Sequence, residues 1–132
     1  MSAITCMHLV EHLMELDVLL REVKRLLKPG GKVYFETPHP KTVDLPSLRE
    51  RGIHDFTLNF YDDPTHTKPV PISDLASILP EGLHPLKSGI SRNWLFAAAY
   101  PYYFFRPSSR QKFTAQVHWL GWSAYLIAER VC

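Results

Sequence analysis

An apolar run, an amphipathic helix and a glycine turn follow one another in the first forty residues, in the order strand, helix, strand, and that order leaves few folds open. Ala3-Ile4-Thr5-Cys6-Met7 is β-type and almost unbroken in apolarity, the pattern of a buried parallel strand. Leu16, Leu19, Leu20, Val23, Leu26 and Leu27 then recur at helical spacing, with Arg21, Glu22, Lys24 and Arg25 on the other side. That segment reads as a helix with one face laid on a sheet. Asp17 near its start and Lys24, Arg25 and Lys28 near its end complement the helix dipole. Pro29 cannot continue the helix, and Gly30 supplies a left-handed exit. Residues 32–37 form the next strand, with Val33 and Phe35 on one face and Tyr34 and Glu36 on the other, and Pro38-His39-Pro40 ends it. A strand, a crossover helix and a second strand make one unit of a parallel sheet, so the chain is read as an α/β protein.

The remainder is less regular. Residues 41–70 are polar and proline-bearing, with a short helix expected at 46–51; a loop this long in a compact domain is usually functional or mobile. Residues 72–79 read as a short helix with Ser73 as N-cap, stopped by Pro80. Residues 86–91 read as a strand, 94–105 and 111–120 as two aromatic helical segments, and 123–130 as a terminal strand. The segment from Trp94 to Phe105 has three readings: a cap over a pocket, an interfacial element with Arg106, Arg110 and Lys112 facing lipid headgroups, or a core helix with a dimer surface. Aromatic stripes are most often the third, so membrane contact is not expected.

A length of 132 residues suits one domain. A net charge of +2 without a dense Lys/Arg cluster gives no electrostatic footprint for nucleic acid. Cys6 and Cys132 sit near opposite ends with no CxxC spacing, which reads as two free thiols in a reducing, cytoplasmic compartment. The first ten residues lack the basic start and cleavage site of a secretory leader. The run from 94 to 105 is shorter than the roughly 20 residues needed to cross a bilayer.

His8-Leu9-Val10-Glu11-His12 matches H-x-x-E-H, in which two histidines one helical turn apart hold zinc beside a catalytic glutamate. The pattern is short, no third ligand is identifiable, and a strand runs straight into it; no metal is expected, and a zinc hydrolase using His8, Glu11 and His12 is a remote alternative. The same residues belong to a longer string. Glu11-His12, then Arg25-Leu-Leu-Lys28-Pro29-Gly30-Gly31, then Glu36-Thr37-Pro38 resemble class I S-adenosylmethionine-dependent methyltransferases, over residues 2–40. Asn59-Phe60-Tyr61-Asp62-Asp63-Pro64-Thr65-His66 is similar to a sub-group that methylates glycans and small molecules.

The resemblance implies the carboxyl-terminal half of a Rossmann-like fold, with parallel strands and an antiparallel last strand. It implies S-adenosylmethionine as cofactor, with Met7, His8 and Leu9 at its methionine part, because ligands sit at the carboxyl ends of parallel strands. Glu11, His12, Pro38 and His39 fall on the pocket rim. A structural role competes for two of them: Glu11 capping a turn and His12 packing beside the helix. His66 is the candidate base for a hydroxyl acceptor, with Asp63 orienting it; the competing reading makes Asp63-Pro64-Thr65-His66 a plain turn.

The chain departs from the family in one respect. Its six glycines are at 30, 31, 52, 82, 89 and 121, so the glycine-rich cofactor loop and the three strands expected before residue 2 have no counterpart. Residues 1–132 are therefore expected to be a partial domain that alone binds S-adenosylmethionine weakly or not at all. The strand at Ala3–Met7 then becomes a sheet edge open to pairing. The expected partners are a small-molecule or glycan acceptor, and either a second copy or a missing amino-terminal half. A non-catalytic module dimerising through that edge is the alternative function.

Overall fold

β2 (Lys32–Pro38) pairs in parallel with β1 (Ala3–Met7) on one side and antiparallel with β4 (Ser123–Arg130) on the other, and β3 (Leu83–Ser91) completes the order β1-β2-β4-β3. This is a computed structural model, and it describes residues 1–47 and 58–131. The α/β class, the parallel pair and the antiparallel last strand are as expected. The helix expected at 46–51 falls largely outside the described residues, as does Cys132.

α1 (Leu16–Leu26) crosses from β1 to β2 and buries Leu20 and Val23. With Leu27 they meet Cys6, Val33, Phe35, Leu126 and Ala128 of the sheet, and Val10, Val70, Leu75 and Leu83 close the same core. Burying a side chain such as Phe35 or Leu20 contributes roughly 1.5–3 kcal/mol each. The turn after α1 needs both glycines for different reasons. Gly30 has φ +75, while a Cβ on Gly31 would lie 2.8 Å from the Lys28 carbonyl oxygen. The Gly30 amide donates to the Arg130 carbonyl at 2.7 Å, and the Arg130 amide returns a bond to Gly31 at 2.9 Å, so the turn is pinned to the end of β4.

Several elements differ from the sequence expectation. β1 is an edge strand in which only Cys6 is buried: its apolarity suits a strand with neighbours on both sides, and among the described residues it pairs with β2 alone. β3 starts three residues earlier than expected and carries Pro85 at a register shift; proline is tolerated there because β3 is the other edge. α2 (Ile72–Ser77) is capped at Pro71 rather than Ser73, whose hydroxyl instead meets the Asp74 carboxylate at 3.3 Å. α3 (Trp94–Phe104) runs through Pro101 and pairs with α4 (Arg110–Leu120) as a helical hairpin inserted between β3 and β4. The core-helix reading of this stretch fails, since Ala97 is the only α3 residue buried.

Candidate active site

The carboxyl ends of β1 and β2 lie side by side, and because β4 is antiparallel its first residue, Ser123, lies opposite Pro38 at that same end. Chain leaving β1, chain leaving β2, and Trp122 before β4 are thereby gathered at one edge of the sheet. A cleft of about 350 Å³ opens there, lined by His8, His12, Asn59, Asp63, His66 and Trp122.

His8 turns the chain out of β1. Its φ of 50 is the only left-handed value at a non-glycine residue among those described, and its amide still donates to the Glu36 carbonyl at 2.8 Å. The next residues form a 3₁₀ turn, Val10–His12, rather than an α-helix. His8 and His12 therefore do not share a helix face, and the paired-histidine zinc reading loses its geometry. Glu11 is fully buried beneath the cleft. Its carboxylate meets His8 Nδ1 at 3.2 Å and accepts from the Thr37 hydroxyl at 3.3 Å, so it joins side chains at the ends of β1 and β2 and lies under the cleft rather than on its rim. The hydrogen bond to Glu11 holds the His8 imidazole above its ordinary pKa, against the opposing effect of burial and with help from the charges of Glu11 and Glu36.

The segment carrying His66 is tied down at both ends. The Asn59 side chain accepts from the Tyr61 amide at 2.9 Å and donates to the Val43 and Leu45 carbonyls at 3.0 and 2.5 Å. Thr67 donates its amide and its hydroxyl to the Glu11 carbonyl at 2.8 and 2.9 Å. Between them Asp63 accepts from the Thr65 amide and hydroxyl at 2.8 and 2.5 Å, and these bonds hold its carboxyl below the usual range. The plain-turn reading of Asp63-Pro64-Thr65-His66 is thus correct as local structure, yet the turn also delivers an imidazole to the cleft.

His66 Nδ1 lies 2.6 Å from the Phe60 carbonyl oxygen. A carbonyl only accepts, so Nδ1 carries a proton, and in the neutral ring Nε2 is then the acceptor. The Asp63 carboxylate stands 3.7 Å from that Nε2, so Phe60 fixes the tautomer and Asp63 contributes charge nearby. The His12 and His66 rings are 4.7 Å apart. Glu11, His12 and His66 offer one ligand-type atom each within 4.8 Å of one another, a buried carboxylate flanked by two imidazoles that can accept, hold or pass a proton.

The other expected site residues do not line this cleft. Met7 and Leu9 are exposed at the end of β1, and Pro38 is buried. His39 lines a different groove, of about 590 Å³, between α2 and β3; burial and then Lys41 push its imidazole below the ordinary value. Asn59 and Trp122 were not singled out from sequence. Asn59 had a usable signal, an Asx residue two before an amide it caps. Trp122, whose ring lies 5.6 Å from that of His8 and which donates its indole N–H to the Leu58 carbonyl at 2.7 Å, had none.

A family model described as a methyltransferase domain matches residues 1–81. Over 36 residues, 27% of this chain, the sequence is 46% identical to a ubiquinone biosynthesis O-methyltransferase of Xanthomonas oryzae pv. oryzae, and the matched stretch is 15% of that relative. In three dimensions it is similar to a SAM-dependent methyltransferase from Archaeoglobus fulgidus, with TM-score 0.58 and 22% identity over 98% of this chain and 59% of that one. It is also similar to the geranyl diphosphate C-methyltransferase of Streptomyces coelicolor A3(2), solved with Mg²⁺, geranyl diphosphate and S-adenosyl-L-homocysteine, with TM-score 0.56 and 18% identity over 98% of this chain and 46% of that one. The chain thus spans about half the length of these structures and a smaller share of the curated relative.

Proposed function

Because the chain belongs to the methyltransferase domain family, we propose that it forms the carboxyl-terminal part of an S-adenosylmethionine-dependent methyltransferase that acts on a hydroxyl of a small molecule or glycan. The observation that carries this reading is His66, with Nδ1 bound to the Phe60 carbonyl and Nε2 left as an acceptor in the cleft at the carboxyl ends of β1 and β2. An oxygen acceptor is also supported by the name of the Xanthomonas relative.

Three residues support a place for one part of the cofactor. At the end of β1 the exposed side chains of Met7 and Leu9 flank the left-handed turn at His8, giving an apolar ledge and one polar group for the methionine end. When bound, the cofactor supplies an electrophilic methyl group on a sulfonium. The chain's own residues bring the acceptor to it, and positioning is the largest share of such a reaction. His66 Nε2 is the group that would accept the proton of an acceptor hydroxyl, a role worth roughly 10²–10⁴-fold. The Asp63 charge favours the imidazolium that results. Glu11, buried and joined to His8, holds the floor.

No glycine precedes Gly30, so a glycine-rich cofactor loop is not supplied by residues 1–29. Residues 1–132 are then a partial domain, and alone they bind the cofactor weakly. The test is calorimetry with S-adenosylmethionine on this chain, alone and joined to a segment carrying the loop. Binding is expected only in the joined form, where His66→Ala lowers turnover and leaves cofactor affinity unchanged. Micromolar binding by the chain alone overturns the partial-site reading, and unchanged turnover removes His66 as base. A second reading, an interaction module, is favoured by β1, whose outer edge pairs with no strand among the described residues; concentration-dependent dimerisation abolished by Ile4→Pro, with no cofactor binding in either form, would select it.

A further inference from the structure

The charges of this chain are segregated. Residues 82–128 hold Lys87, Arg92, Arg106, Arg110 and Lys112 and no Asp or Glu, whereas the rest of the chain holds thirteen acidic residues against ten basic ones. That acid-free stretch contains the α3–α4 hairpin. The hairpin is also where apolar surface is left uncovered: Leu95 is 78% exposed and Phe105 87%, with Trp94, Tyr102, Phe104 and Trp119 exposed beside them. A single helical hairpin that exposes this many large aromatic groups along its length is a candidate interaction surface.

The basic and aromatic groups are interleaved. The Arg92 guanidinium lies 4.9 Å from the Trp94 ring centre, and that of Arg106 lies 4.9 Å from the Tyr102 ring while donating to its hydroxyl at 2.7 Å. Lys112 donates to the Phe104 and Arg106 carbonyls at 3.0 and 2.8 Å, which closes the hairpin tip and sets its ammonium 5.9 Å from the Phe104 ring centre. Rings with polar handles beside guanidinium groups match the boundary between acyl chains and anionic headgroups. The helices have eleven residues each, about 16 Å at 1.5 Å per residue, and no helix among the described residues is long and apolar enough to cross a membrane. The geometry suits shallow entry at one leaflet. A second copy is the poorer occupant, since face-to-face pairing sets two acid-free basic surfaces against each other.

We propose that the α3–α4 hairpin docks this protein on an anionic lipid surface, with Trp94, Phe104 and Phe105 in the interfacial layer and Arg106 and Arg110 on the headgroups. The surface lies at the end of the sheet that carries the cleft: α4 leads through Trp122 into β4, Lys41 Nζ donates to the Leu120 carbonyl, and the Asn93 amide donates to His118 Nδ1 at 3.1 Å. The inference does not depend on the proposed chemistry.

The experiment is co-sedimentation of the full chain with phosphatidylcholine vesicles, with and without about 30% phosphatidylglycerol, alongside tryptophan emission. Partitioning is expected with the anionic vesicles, with a blue shift, and weakens as salt is raised. Phe104→Ser/Phe105→Ser lowers the partition coefficient about tenfold or more, and Arg106→Glu/Arg110→Glu removes the preference for anionic lipid. Both pairs are exposed, and circular dichroism checks that the variants fold. No partitioning, equal partitioning with and without anionic lipid, partitioning unaltered in both variants, or a dimer that buries the hairpin tryptophans without lipid would each overturn the proposal.

Discussion

Glu11, with no exposed surface, meets His8 Nδ1 at 3.2 Å and the Thr37 hydroxyl at 3.3 Å, while its own carbonyl receives both donors of Thr67. One residue therefore joins the end of β1, the end of β2 and the His66 segment. Glu11→Ala leaves His8 and Thr37 without their acceptor and opens a cavity, and it is expected to cost about 2–3 kcal/mol in urea unfolding. Glu11→Gln keeps the volume and one acceptor and should lose about half as much. A loss below 0.5 kcal/mol in both, roughly the level of an ordinary surface change, contradicts the joining role.

The His8 imidazole, raised above its ordinary value chiefly by that bond, gives the fold a pH dependence of definite sign. A histidine with a raised folded-state pKa stabilises fully below the unfolded value of about 6.5 and loses that contribution as pH climbs through the folded value. His39, lowered mainly by burial, acts oppositely: its contribution is present above about 6.5 and fades as pH falls. The two partly cancel in the wild type, so the quantity to measure is the difference from His8→Gln. The wild type should lead that variant most at pH 5.5–6 and least near pH 8, by thermal melting in one buffer series. An advantage that grows with pH refutes the assignment.

The first forty residues were legible because each signal there is local. Leucines at helical spacing, Pro29 and the two glycines specify β1, α1, the turn and β2 without distant partners, and their bounds agree with the structure to a residue. The hairpin was legible as helices and not as surface: continuous apolarity does not say whether a partner covers it, and nothing in the run from Trp94 to Phe105 distinguishes a core from an exposed face. For the cleft, His8, Glu11, His12, Asp63 and His66 were readable, whereas Phe60 was not, since its contribution is a backbone carbonyl that any residue type provides. Trp122 reaches His8 only through the antiparallel return of β4.

Arg130 reaches back from β4 to the end of α1, where its Nη1 donates to the Lys24 carbonyl at 2.9 Å and to that of Leu27 at 2.5 Å. Those carbonyls belong to the last turn of the helix and to its C-cap, where a cation also meets the negative end of the dipole. Arg130→Met is expected to cost about 1–2 kcal/mol and to speed amide exchange in the last turn of α1 more than in the first. Arg130→Lys should recover only part, because an ammonium lacks the planar fork. Uniform faster exchange along α1 counts against a capping role.

Asp63 separates the turn from the chemistry at the same residue. Its carboxylate binds the Thr65 amide and hydroxyl and stands 3.7 Å from His66 Nε2. Asp63→Asn keeps an oxygen for the Thr65 amide and removes the charge, whereas Asp63→Ala removes both. In a form that turns over, we predict that Asp63→Asn lowers kcat about three- to tenfold with KM for the acceptor little altered, since the lost interaction exists only once His66 is charged. Asp63→Ala lowers kcat further and raises KM as the loop loosens, and His66→Ala lowers kcat by about 10²–10⁴-fold. Placing Asp63→Asn on His66→Ala should then cost nothing more, because the charge has no imidazolium to face. An equal loss from Asp63→Asn in both backgrounds assigns Asp63 to the turn alone.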